Sequence, residues 1–263
     1  MTNGMITRMT DLAENLRAVR VRIDAAARAA GRAPSSVALL AVSKTWPAED
    51  VRALAALGQS DFGENRAQEL LAKAAGLADL PVRWHFIGQL QRNKAAAVAR
   101  LGAVVHSVDR ESLAGVLDRA GQEAGRPVDV LLQVDLGGAG GGTAPRGGAD
   151  PAAVPALADL VAGCAGLRLR GLMAVAPRGE DPAPAFERLA ALAARVRADH
   201  PEAVELSAGM SGDLEAAVAA GATVVRVGTA LFGDRPLISG ENQRTPATWV
   251  TPDTQAADTP PGA

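Results

Sequence analysis

The most chemically pointed residues of this chain sit where its apolar runs end. In "VALLAVSKTWP", Val37 to Pro47, a strand-like run stops on a serine and then on Lys44. A lysine is costly to bury, and at the mouth of a strand its amine can attack a carbonyl carbon. Most strand-end lysines are simply solvated, so the far end of the chain matters. There "ELSAGMSGDLEAA" sets Ser207, Gly209 and Ser211 just before a helical pattern, and "VVRVGTALFG" sets Gly228 and Thr229 at the start of another. Hydroxyls and uncrowded N–H groups at helix N-termini favour an anion, because those donors are unpaired and the dipole end is positive. Arg226 interrupts the β run "TVVRVG", where an unpaired guanidinium is costly. It must pair either with a bound acceptor or with a neighbouring carboxylate.

Such residues need a scaffold that gathers strand ends at one face. Strand-type stretches are Val37–Val42, Ser60–Phe62, Trp84–Ile87, Val104–Ser107, Val128–Val134, Leu167–Val175, Val204–Leu206 and Thr223–Val227. Helical spacing links Val51, Leu54 and Leu57; Leu113, Val116, Leu117 and Ala120; Phe186, Leu189, Ala193 and Val196; and Leu214, Ala217 and Val218. Ahead of all these, Leu12, Leu16, Val19 and Ile23 mark a helix that Gly31 closes. Eight strands alternating with helices predict an α/β chain, a single (β/α)8 barrel of TIM type with an extra N-terminal helix; a doubly wound open sheet is the competitor. The expected division is a helical segment over 1–35 packed on the barrel, the barrel over 36–236, and a tail over 237–263 too rich in Thr, Pro, Asp and Gln to fold. The glycine-rich stretch Leu136 to Pro151 fits neither a dinucleotide fingerprint nor a P-loop, and reads as a mobile loop.

In a barrel of this kind the C-terminal strand ends form the active-site mouth, and phosphate sites are often built after strands seven and eight. A lysine, an arginine and a phosphate cradle at one mouth suggest pyridoxal 5′-phosphate. Its aldehyde needs an amine, its phosphate needs N–H donors, and its ring nitrogen can take an arginine donor.

Longer stretches agree: "LLAVSKT", "DFGENRAQELLAK", "WHFIGQLQRNK", "HSVDR", "GLMAVAP", "LSAGMSGDLEAAVAAGAT" and "VRVGTALFGDRP" follow one another from about residue 39 to 236. In these the chain resembles the pyridoxal phosphate homeostasis proteins (the YggS/PROSC family), whose fold type III barrel is like the N-terminal domain of alanine racemase. The resemblance implies that pyridoxal phosphate is held as an internal aldimine on Lys44. It implies that Ser207, Gly228 and Thr229 hold the phosphate, with Gly209 in the nest. Arg226 would face the pyridine nitrogen, as the R-x-G element of alanine racemases does, and Asn65, His85 and Met173 would line the ring. The chain departs from the family's usual pattern at Arg66, where many members carry tyrosine, and at Ala208, where methionine is usual. The glycine-rich stretch stands where an Asn and a Lys-x-Gly element are common.

Composition narrows the function further. The net charge of −2 comes without a basic block, which argues against a nucleic-acid partner, and no apolar run approaches bilayer length. One cysteine permits no intrachain disulfide, and no His/Asp/Glu set has metal spacing, so a cytoplasmic protein without a metal is expected. Racemisation in the resembled enzymes uses the lysine and a tyrosine from a second domain. This sequence has no tyrosine and leaves no room for such a domain after residue 236. An always-charged Arg226 would also leave the ring nitrogen unprotonated, a poorer electron sink. The expectation is therefore a non-enzymatic carrier that holds pyridoxal phosphate in intracellular homeostasis and delivers it, with apo pyridoxal enzymes as candidate recipients. A monomer is expected, a weak dimer being the alternative. One competing function is a pyridoxal enzyme with weak racemase or transaminase activity, using His85 or water as second acid. Another is a phosphosugar enzyme with Lys44 as Schiff-base nucleophile.

Overall fold

Strands buried on both faces must be apolar on both, and that is how the runs such as "ALLAV" are used. In the computed structural model, which describes residues 3–137 and 147–233, strands β1 (Ala38–Val42), β2 (Asp61–Glu64), β3 (Arg83–Phe86), β4 (Val104–Val108), β5 (Val128–Val134), β6 (Leu167–Ala174), β7 (Glu205–Ser207) and β8 (Val224–Val227) pair in sequence order and close on themselves. Every pairing is parallel, and β8 returns to β1 with Leu40 opposite Arg226. The open-sheet alternative is thereby excluded. The tail over 237–263 and most of the glycine-rich stretch lie outside the described residues.

The second strand, weakest in the sequence, runs two residues beyond Phe62. A Cβ on Gly63 would meet the Leu40 and Ile87 side chains at 3.4 to 3.5 Å, ordinary contact, so the extension does not depend on glycine.

The outer layer is α2 (Ala48–Ala56), α3 (Ala67–Gly76), α4 (Arg92–Leu101), α5 (Glu111–Glu123), α6 (Val154–Ala162), α7 (Ala183–Asp199), α8 (Leu214–Ala219) and the short α9 (Thr229–Phe232). Of these, α4 gave little periodic signal because alanines, Ala95 and Ala99, fill much of its buried face. The main core lies between strands and helices, around Leu54, Phe62, Leu70, Phe86, Leu113 and Phe186, all fully buried. A separate apolar cluster of Val104, Leu131 and Met173 fills part of the barrel interior.

The long first helix, α1 (Asn3–Ala29), packs on α2, α8 and α9 through Leu12, Leu16, Val19 and Ile23. Arg8 anchors it by an ion pair to Asp50 at 2.5 Å and a hydrogen bond to the Phe232 carbonyl at 3.0 Å. It thus spans the helices that flank the β8–β1 seam, the place where Lys44 and the Gly228 turn meet.

Candidate functional site

Lys44 lies two residues beyond β1, half-buried at the C-terminal face of the barrel. The turn that carries it is held from several directions. Ser43 N–H donates to the Gly63 carbonyl at 3.0 Å, and its hydroxyl donates to Glu64 Oε1 at 2.7 Å. Lys73, reaching in from α3, donates to the Ser43 carbonyl at 2.7 Å, to Glu64 Oε1 at 2.6 Å and to Glu69 Oε1 at 2.8 Å. Thr45 N–H donates to the same Glu69 oxygen at 2.6 Å. On the other side the Trp46 ring stacks on Phe232 at 5.7 Å, with the Arg8 guanidinium 4.7 Å from its centroid.

These contacts hold a strained backbone. Thr45 sits at φ 70°, a left-handed conformation that costs a β-branched residue roughly 1–3 kcal/mol and persists only where its surroundings over-determine it. Glu64 is fully buried; burial pushes its carboxyl pKa up, outweighing the hydrogen bonds from Lys73 and Ser43. Its Oε2 has no hydrogen-bond partner among the described residues.

The exits of β7 and β8 come up beside this turn. A Cβ on Gly228 would lie 3.3 Å from the Val42 carbonyl oxygen, so β8 leaves the barrel against the end of β1. Ser211 Oγ accepts a hydrogen bond from the Ala230 N–H at 3.3 Å, tying the β7–α8 loop to the first turn of α9, which exposed Thr229 opens. Gly209 serves the backbone: at φ 89° its Cβ would fall 2.6 Å from that of Ala217, and its carbonyl accepts the Arg226 N–H at 2.9 Å.

Beneath the mouth, the remaining predicted residues join one another. Arg226, fully buried, donates through Nη1 to the Ser207 carbonyl at 2.6 Å and to Ser207 Oγ at 2.9 Å, and through Nη2 to the Ala174 carbonyl at 2.8 Å. Ser207 Oγ is 3.0 Å from His106 Nδ1, His106 Nε2 is 2.9 Å from His85 Nδ1, and His85 Nε2 is 2.8 Å from Asp61 Oδ1. Burial lowers the Arg226 pKa to about 10, against the opposing charge of Asp213. Burial first, then the charges of Arg226 and Arg83, and that of His85 whenever its ring is protonated, push His106 well below the ordinary histidine value. At Asp61 burial acts upward, but hydrogen bonds from His85 and Ser60 outweigh it and hold the carboxyl below its usual range.

Lys44 borders a cleft of about 710 Å³ walled by Ala176 and Arg178 after β6 and by Met210, Gly212 and Asp213 after β7. Asn65 instead lines a smaller pocket of about 280 Å³ with Arg66, Gln89 and Lys94. The structure therefore brings Lys44, Gly228 and Thr229 together at the mouth, sets Asn65 to one side, and puts His85, Met173, Ser207 and Arg226 below. The sequence reading missed Glu64 and Lys73, although Glu69 and Lys73 have the i, i+4 spacing of a helical ion pair. It gave His106 no role, and it named Ser211 with Ser207 in the anion site, although the set implied by the resemblance has Ser207 alone of the two. Among the described residues no group of His, Cys, Asp and Glu could hold a metal, and no helix is long and apolar enough to cross a membrane.

Comparison with known proteins places this geometry in context. Residues 15–236 match the family model described as alanine racemase, N-terminal domain. A "Pyridoxal phosphate homeostasis protein" of Pseudomonas aeruginosa is 48% identical over 233 residues, which cover 86% of this chain and 97% of that protein. The structure of PipY from Synechococcus elongatus with PLP bound is 41% identical with a TM-score of 0.73, covering 84% of this chain and all (100%) of that one. Alanine racemase from Streptomyces coelicolor shares the fold, with a TM-score of 0.67 at 24% identity, over 87% of this chain and 59% of that one.

Proposed function

The chain belongs to the pyridoxal phosphate homeostasis proteins, and from that premise we propose that it binds pyridoxal 5′-phosphate at the barrel mouth and acts as an intracellular carrier of it. The observation that carries the reading is the strained, clamped turn that presents Lys44 beside the Gly228 exit. When bound, that cofactor supplies an aldehyde carbon open to amines and a ring that accepts electron density.

The residues present suit such a group. Lys44 would hold the aldehyde end covalently and reversibly. Gly228, Thr229 and Ser211 would take the phosphate, with Gly209 shaping the loop behind them. Ser207 is less suited to the phosphate, because its hydroxyl already lies between His106 and Arg226. Arg226 would donate to the ring nitrogen from below, Asn65 would approach the ring from the β2 side, and Met173 belongs to the apolar floor. His85 would act only through its neighbours, reaching Arg226 by way of His106 and Ser207.

Holding is favoured over turnover by two features. The sequence has no tyrosine to act as a second acid–base group. Arg226, even at about 10, is protonated near neutrality, so a ring nitrogen facing it would have no proton of its own and the ring would be a weak electron sink. The cytoplasm is the compartment that suits such a carrier, and apo pyridoxal enzymes are its natural recipients.

The test is to load purified protein with pyridoxal phosphate, dialyse it, and record cofactor content and visible absorbance. Near-stoichiometric retention is expected. A colourless protein would overturn the binding. The loaded protein would then be kept with amino acids in D2O. Loss of Cα protons at about 1 s⁻¹ or faster, an enzyme-like rate, would overturn the carrier reading.

A further inference from the structure

We infer that Asp61, His85, His106 and Ser207 form a hydrogen-bonded chain of single polarity through the barrel interior, and that they are positioning residues which hold the Arg226 guanidinium beneath the mouth. The inference rests on the reading above only for what Arg226 faces; the polarity of the chain follows from the protein alone.

Chemistry at the two ends fixes that polarity. A guanidinium can only donate. Since Arg226 Nη1 donates to Ser207 Oγ at 2.9 Å, the single hydroxyl proton is directed to the other neighbour, His106 Nδ1 at 3.0 Å. His106 Nδ1 is then an acceptor, and its proton is on Nε2, facing His85 Nδ1 at 2.9 Å. That nitrogen accepts in turn, so His85 carries its proton on Nε2, 2.8 Å from Asp61 Oδ1. An ionised carboxylate can only accept, so the far end requires the same direction. Adding a proton to His85 would reverse the inner bonds. Ser207 Oγ would then face two donors, and its own proton would have no partner in the chain.

Such a chain has consequences for the site. Both imidazoles and the hydroxyl are at most 4% exposed, where an unmatched donor or acceptor is costly. Among the described residues the guanidinium donates to Ser207 and Ala174 oxygens and makes no direct ion pair with a carboxylate. Asp213 acts on it through space, and the carboxylate it reaches along hydrogen bonds is Asp61, at the far end of the chain. Asp61 begins β2 and lines a separate cleft of about 360 Å³ at the opposite face of the barrel, with Arg20, Asp24 and Gln59. The chain spans the interior from that face to the floor of the mouth, with His85 and Ser207 inside it.

Histidine tautomers read this directly in protein without cofactor. In His200→Gln protein labelled with 15N-histidine, long-range 15N–1H correlation spectra near neutral pH should show the two remaining rings neutral, each with its proton on Nε2. A doubly protonated ring, or one with its proton on Nδ1, would overturn the polarity. Ser207→Ala should then perturb the Nδ1 resonance of one ring and speed exchange of the Arg226 side-chain N–H protons, a signature that packing loss elsewhere would not give. In loaded protein the same substitution should weaken cofactor retention about tenfold, the scale of one buried hydrogen bond. Asp61→Asn, at the half-buried end, should weaken it in the same direction and serves if Ser207→Ala does not fold. Unchanged retention in both folded variants would overturn the positioning role. Failure of the unaltered protein to bind pyridoxal phosphate would sink the cofactor reading alone and leave the tautomer result standing.

Discussion

Two buried polar systems meet near the start of this barrel, one on each side of β2. Outside the sheet, Ser43, Glu64, Lys73 and Glu69 form an ionic cluster around the turn of Lys44. Inside it, Asp61, His85, His106, Ser207 and Arg226 form a chain whose charges stand only at its ends. Alternation along "DFGE" sends Asp61 inward and Glu64 outward, so one short strand supplies both. The outer cluster packs charge against charge in the low-dielectric layer behind helix α3 and leaves Glu64 Oε2 without a partner. The inner chain has a partner for each of the ring nitrogens and the hydroxyl. The first fixes a backbone, at the cost of a buried carboxylate; the second fixes the direction of a side chain, through neutral groups. Each serves one end of the proposed ligand.

That contrast can be broken experimentally. The largest effect is expected from Lys73→Met, which removes the cation that pairs with fully buried Glu64; breaking such a pair from one side costs about 3–5 kcal/mol, readable from urea unfolding. His106→Leu should cost somewhat less, about 2–3 kcal/mol, because Ser207 and His85 are each left with an unmatched group in a dry interior.

A pH series separates the two systems next. The pKa of His106 is depressed in the folded chain, so its contribution is complete above the ordinary value near 6.5 and is lost as the pH falls toward the folded value. Unfolding midpoints should drop as the solution is taken below about pH 6.5, by at most about 1.4 kcal/mol per pH unit for this group. His106→Gln should remove that component. Asp61, also depressed, adds its loss only further into acid. Glu64 has the opposite sign: its raised pKa means that stability is lost as the pH rises through the folded value. The smallest change is therefore expected for Glu64→Gln, within about 1 kcal/mol, since losing the ion pair is offset by relief of a buried charge. A much larger loss there would mean that the outer cluster is a net source of stability, not only a device for shaping the turn.

Much of this was legible in the residues. The barrel could be read because eight apolar runs alternate with helical spacing, and Lys44 and Arg226 stood out as charges on β runs. Ser207 and Ser211 could not be separated, because both are small hydroxyl residues in one loop-like stretch. Only the structure shows Ser207 facing inward at the end of β7 and Ser211 meeting α9. The inner chain was hidden for a similar reason: Asp61, His85, His106 and Ser207 lie on four strands, and only closure of the barrel brings them within hydrogen-bond distance. Beyond its spacing from Glu69, Lys73 carries no signal of its own in the sequence, and only the docking of α3 over Glu64 gives it a buried carboxylate partner.

The central claim is that Lys44 is the residue that holds the cofactor, and the direct measurement is the visible absorbance of Lys44→Ala beside the unaltered protein after incubation with pyridoxal phosphate and dialysis. The account predicts that absorbance of the lysine-bound cofactor appears in the unaltered protein and is lost in the variant, which should remain folded because the clamp around Ser43 and Thr45 uses backbone groups and other side chains. Equal absorbance in the two proteins would contradict it.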